Sequence, residues 1–162
     1  MTTVLLDRRG LLAGGGYVMA TGGSALIAPA QAEGLAPTFS MGGGSNNYIP
    51  GAPFVERIGN GGFWMSGTVR RAGDGAPLAG IRIQVWAHTT EAYETNPRSH
   101  GATLTDANGA FRLETPQIIP AFGQPHGHFA YDSGAFKTVF LRPVLQSWPT
   151  TSVEAHFVLQ PA

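Results

Sequence analysis

The chain has 162 residues, only 12% of them charged, a net charge of zero, 23 glycines, 12 prolines and no cysteine, which is enough length for one domain with one modest core. A single lysine, Lys137, leaves no basic surface to neutralise a phosphate backbone and so excludes nucleic acid as a partner. Without cysteine there are neither disulfides nor thiolate metal sites, so any metal must be held by His, Tyr, Asp or Glu.

In chain order, residues 1–32 read as a twin-arginine export signal. Arg8 and Arg9 precede a mildly apolar Gly/Ala-rich stretch that ends at Ala30-Gln31-Ala32, the small-x-small arrangement cut by signal peptidases. A membrane anchor is the alternative, but Gly14, Gly15, Gly16, Gly22 and Gly23 leave this stretch weakly hydrophobic for a permanent span. Cleavage after Ala32 predicts an exported protein, periplasmic or extracellular, with no membrane span after processing. The twin-arginine route carries folded proteins, often with a cofactor already loaded, which suits a metalloprotein.

Residues 33–62, with "MGGGSNNYIPGAPF", predict an extended arm lying on the domain that follows. From residue 63 to 162 the pattern is β. Phe63 to Arg70 reads as a strand, and the turn-rich "AGDGAPLAG" leads to Ile81–His88, which alternates with period two. Ile81, Ile83, Val85 and Ala87 share one face of that strand and Arg82, Gln84, Trp86 and His88 the other, as in a half-buried strand. "TDANGAF", Thr105 to Phe111, predicts a hairpin around Asn108-Gly109, with Asp106 and Asn108 shaping the turn. Phe136–Leu141 and Val153–Leu159 supply later strands, and no window holds an amphipathic helix. Short strands with turn signals about every ten residues predict an all-β fold, a β-sandwich.

Between these strands, "GQPHGHFAYD" sets His126 and His128 two residues apart. In an extended strand the two side chains leave the same face with backbones roughly 6.5–7 Å apart, within reach of one metal ion. Alternatively, one histidine fills a half-buried position and the other faces water.

The ordered set "NNYIPGAPF", "SGTVRRAGDGAPLAGIRIQVWAH", "GATLTDANGAFRLET" and "HGHF" resembles the intradiol ring-cleavage dioxygenases, the group containing protocatechuate 3,4-dioxygenase, over roughly Asn46 to Phe129. The resemblance implies a non-haem ferric iron held by two Tyr and two His, which binds an aromatic diol and uses dioxygen to cleave the ring between its hydroxyl-bearing carbons. By position, His126 and His128 match the histidine pair. Tyr93, seven residues beyond Trp86, falls about where the first tyrosine ligand belongs, in a loop one residue short, and is the candidate catalytic residue. The family's second tyrosine has no counterpart: Ala121 and Phe122 stand nearest, and Gly123 and Gln124 replace the arginine that precedes the histidines. Tyr131 lies three residues beyond His128 and would face the other side of a continuous strand.

His88 is a candidate outer-shell residue or replacement ligand, with a structural role as the alternative. His100 stands where the family often has arginine, His156 lies in the last strand, and both read as structural or surface residues. Two alternatives accompany the dioxygenase reading: a non-catalytic relative with an incomplete iron site, comparable to the family's iron-free partner subunits, and a transthyretin-like binding module. Both homo- and hetero-oligomers are compatible with the resemblance.

Overall fold

The computed structural model describes residues 34–147 and 150–162. The expected export signal, residues 1–32, lies outside the described residues. Among the described residues, seven strands form two sheets: β1 (Phe63–Arg71), β2 (Arg82–Ala87), β3 (His100–Leu104), β4 (Ala110–Thr115), β5 (Gly127–Tyr131), β6 (Val139–Leu141) and β7 (Ser152–Leu159). One sheet runs β4-β1-β7 and the other β3-β2-β5-β6. All neighbours are antiparallel except β1 and β7, which run parallel. The described residues contain no α-helix, only a 3-10 turn at Pro97–Ser99. The fold is an all-β sandwich.

Alternating residues of both sheets make the core. Phe63, Met65, Val69, Phe111, Leu113 and Phe157 face Ile83, Val85, Phe129, Tyr131 and Leu141 across the interior. Tyr131 is buried there, and its hydroxyl accepts a hydrogen bond from the Phe136 amide at 3.1 Å. His128 and Trp86, on the other face of adjacent strands and paired in register, point away from this core.

Two local expectations are corrected. The strand expected to be half-buried, β2, is buried on both faces, because the arm covers its outer side. Gln84 Nε2 donates to Ile49 O at 2.8 Å, Trp86 Nε1 donates to Asn46 O at 2.9 Å, and the Tyr48 ring packs 5.5 Å from Trp86. Those partners lie more than 30 residues away in sequence, so period-two patterning within β2 carries no trace of them. A Cβ at Gly44 would lie 2.6 Å from the Phe140 carbonyl oxygen, so only glycine lets the arm approach this closely.

The second correction concerns Asn108-Gly109. The turn forms, with Asp106 Oδ1 accepting from Asn108 N and Ala110 N and with Gly109 at φ +73°. The flanking strands, however, do not pair as a hairpin: β3 joins β2 in one sheet and β4 joins β1 in the other. The turn carries the chain between layers.

Candidate metal centre

The outer face of the four-stranded sheet carries a row of three aromatic rings. Trp86 on β2 is fully buried, flanked by His128 of β5 with centroids 4.9 Å apart and by His100 of β3 at 5.4 Å, the three rings stacked with nearly parallel planes. His126, just before β5, is bridged to Val144 and sits on the same side, its ring 5.0 Å from that of His128.

Backbone carbonyls set both tautomers. His128 Nδ1 donates to Gly44 O at 3.0 Å, and His126 Nδ1 donates to Gln124 O at 2.9 Å. Arg142 Nη2 lies 3.3 Å from the same His126 nitrogen. That nitrogen cannot both donate and accept, and the shorter carbonyl contact decides it. Each ring therefore turns its Nε2 lone pair toward one point, the Glu94 carboxylate: Oε2 lies 3.3 Å from His128 Nε2 and 3.5 Å from His126 Nε2. The ligand atoms of the three residues all lie within 4.8 Å of one another.

Glu94 is held there by a relay. Thr89 N donates to Ala92 O and Asn96 N to Tyr93 O, closing the loop into successive turns. The Glu94 carbonyl accepts from His100 Nε2 at 2.8 Å, and His100 Nδ1 faces Gln84 Nε2 at 3.3 Å. Asn47, held at φ +58°, donates its amide to Glu94 Oε1 at 2.7 Å. His100, expected to be structural or superficial, thus ties the loop to the sheet.

Burial pushes the His128 pKa below its ordinary value, outweighing the Gly44 carbonyl and the Glu94 charge, which pull the other way. Burial also lowers His100. A neutral His128 keeps its Nε2 lone pair free, yet that buried atom has no hydrogen-bond partner, and neither has Glu94 Oε2. Their 3.3 Å approach lacks hydrogen-bond geometry and brings lone pair against carboxylate. A cation is the group that satisfies both atoms at once, and two neutral imidazoles with one carboxylate are a recognised donor set for such ions. The residues present therefore fit a metal.

A prediction on pH arises here. For both buried histidines the unfolded chain takes up protons first, near pH 6.5, so the metal-free protein should lose stability as pH falls below about 6.5, by at most about 1.4 kcal/mol per pH unit per group. Urea unfolding at about pH 7.5 and about pH 5.5 checks this; equal midpoints would contradict it.

A cleft of about 440 Å³ opens beside His126 and is lined by Asn47, His88, Tyr93, Phe122 and Arg142 among others. Tyr93 is 66% exposed and stacks on His88 with centroids 4.5 Å apart. His88 Nδ1 is buried without a hydrogen-bond partner, and His88 lies outside the Glu94, His126 and His128 group. Phe122 is fully exposed and left-handed at φ +50°. His156 bonds Thr68 on the other sheet and plays no part.

No family model matches the chain, and no curated protein does. Solved structures do match. Hydroxyquinol 1,2-dioxygenase from Pseudomonas putida superposes with a TM-score of 0.59 at 14% identity, over 79% of this chain and 68% of that one. The dioxygenase domain of a dioxygenase carbohydrate-binding protein fusion from a cellulolytic Streptomyces gives 0.58 at 22% identity, over 78% of this chain and 100% of that one. Chlorocatechol 1,2-dioxygenase from Pseudomonas putida gives 0.53 at 18% identity, over 79% and 73%. The fold is that of the intradiol dioxygenases. The structure brings the expected histidines, His126 and His128, together with Glu94, which the sequence does not single out, and sets Tyr93 and Arg142 in the cleft beside them. The short loop was the available signal for Glu94: one residue further along stands the side chain that faces the histidines. Arg142 follows β6 and reaches the site only through the pairing of β6 with β5.

Proposed function

We propose that this chain is an exported, iron-dependent dioxygenase that opens a catechol-type aromatic ring between its hydroxyl-bearing carbons. The observation that carries the reading is the pair of buried, unpartnered ligand atoms, Glu94 Oε2 and His128 Nε2, set beside an aromatic-lined cleft on a dioxygenase fold. Glu94, His126 and His128 would hold the iron, which when bound supplies a Lewis acid for the diol and a redox partner for dioxygen. The reaction balances without a reductant: diol and dioxygen combine into a diacid that keeps both oxygen atoms.

The chain's own residues then have definite tasks. The Tyr93 hydroxyl, oriented by the stack of its ring on His88, stands in the cleft wall where it can hydrogen-bond a bound diol. The Arg142 guanidinium beside His126 favours the anionic form of the diol, whose proton leaves to solvent, in place of the arginine missing ahead of the histidines. Phe122 borders the bound ring. A left-handed bulky residue costs on the order of 1–3 kcal/mol, so Phe122→Gly should leave the melting temperature unchanged or raised while weakening diol binding. A lower melting temperature with undiminished binding would contradict that role.

Oxygen uptake by iron-loaded protein with catechol, hydroxyquinol and protocatechuate tests the function, with diacid formation expected. Bound iron without uptake on any diol would favour the second reading, a non-catalytic relative, which draws support from Ala121 and Phe122, residues with no phenolate oxygen, lining the cleft. For export, replacing Arg8 and Arg9 with lysine should hold the precursor in the cytoplasm.

A further inference from the structure

We propose that Glu94, His126 and His128 form a centre for a divalent first-row cation, with Glu94 rather than Tyr93 as its anionic ligand. The inference deepens the proposed function, since it concerns the same site, and it reassigns the ion's charge. Tyr93 and Glu94 are adjacent in the loop but diverge: the Tyr93 side chain is largely exposed and engaged with His88, whereas the Glu94 side chain is 14% exposed and its Oε2 meets both imidazoles.

Charge decides between ions. The protein contributes one negative charge through Glu94, and the two imidazoles bind as neutral donors. A divalent ion leaves one net positive charge beside His128, whose side chain is fully buried; a trivalent ion leaves two. The uncompensated charge is costly in a buried place, and Arg142, close to His126, raises the cost of the second charge further. Among carboxylate and imidazole sites, two histidines with one carboxylate and open positions are associated with ferrous oxygenases, and the same donors also serve zinc. A ferric centre of the tyrosinate type would need phenolate charge, and the one tyrosine of the cleft lies flat on His88.

The test uses the mature chain, made metal-free and then loaded separately with cobalt(II), iron(II) and iron(III), with metal content measured after gel filtration and visible spectra recorded. Expected are stoichiometric cobalt(II) and iron(II), a cobalt ligand-field spectrum, and no tyrosinate charge-transfer band with iron. Tyr93→Phe should bind as the parent does. Glu94→Gln preserves shape and the contact with Asn47, and should weaken binding by more than the ~10–100-fold that loss of an outer-shell partner costs. Near-UV circular dichroism reports its folding, and Glu94→Asp, retaining a carboxylate, should keep weakened binding.

A coloured iron(III) species that survives Glu94→Gln and vanishes in Tyr93→Phe would overturn the inference. So would a failure to bind any divalent ion. Glu94-dependent divalent binding without oxygen uptake on any diol would sustain the inference and overturn the proposed activity, so the two failures are distinguishable.

Discussion

Replacing His126 with alanine should abolish binding at the proposed metal centre while leaving the fold in place. His126 stands just before β5, and its Nε2 is one of the three ligand atoms that meet within 4.8 Å. Its removal leaves Glu94 and His128 as a two-donor set, which for a hydrated divalent ion in water is a weak site; affinity should fall by well over the ~10–100-fold associated with outer-shell changes. The ring contributes little to the core, because the residues that fill the sandwich interior, such as Phe129 and Val85, lie on the opposite face of the sheet. Metal content per chain, measured with a melting curve on the same sample, separates loss of a ligand from loss of structure. An alanine variant that still carries a full complement of metal would show that His126 is a packing residue.

The largest effect on stability should come from Gly67→Ala. Gly67 sits midway along β1, the central strand of its sheet, opposite Phe111 on one side and Ala155 on the other. A Cβ there would overlap the Ala155 carbonyl oxygen and approach the Phe111 ring to 2.8 Å. A flexible side chain could yield to such a contact, whereas a backbone oxygen in a strand ladder can move only if the strand moves with it. We expect a loss of about 3–5 kcal/mol, against a total stability of about 5–15 kcal/mol for a typical domain, and a melting temperature lower by roughly 10–20 °C. Gly42→Ala, where a Cβ meets nothing within 4 Å, serves as the control and should be nearly silent. A Gly67→Ala protein that melts like the parent would mean that β1 and β7 are not held at this spacing.

What the sequence discloses about this fold follows from the range of the interactions involved. β1, β2 and β7 show plainly because alternation is a property of a few consecutive residues, and it marks Ile83, Val85 and Ala87 as core positions, as they are. The burial of Gln84 and Trp86 does not show, because the arm that covers them arrives from residues 46–52. Asn108-Gly109 announces a turn for local reasons, but the choice of partner for each flanking strand is made by the sheets and not by the turn.

The site divides in the same way. The histidine pair is legible because spacing by two in a strand is itself a geometric statement. Glu94 follows directly on Tyr93, and the length of their loop is its one sign in the sequence. Arg142 carries no local signal at all: it enters the cleft because β6 pairs antiparallel with β5, Leu141 opposite Phe129, which carries the next residue along toward the histidines.

Anomalous diffraction from crystals of the mature chain loaded with cobalt tests the metal centre most directly. The account predicts a single strong anomalous peak bonded to Glu94 Oε2, His126 Nε2 and His128 Nε2, with the cleft side of the ion open. A fully loaded crystal whose peak lies elsewhere, or is bonded to Tyr93 with Glu94 turned away, would contradict it.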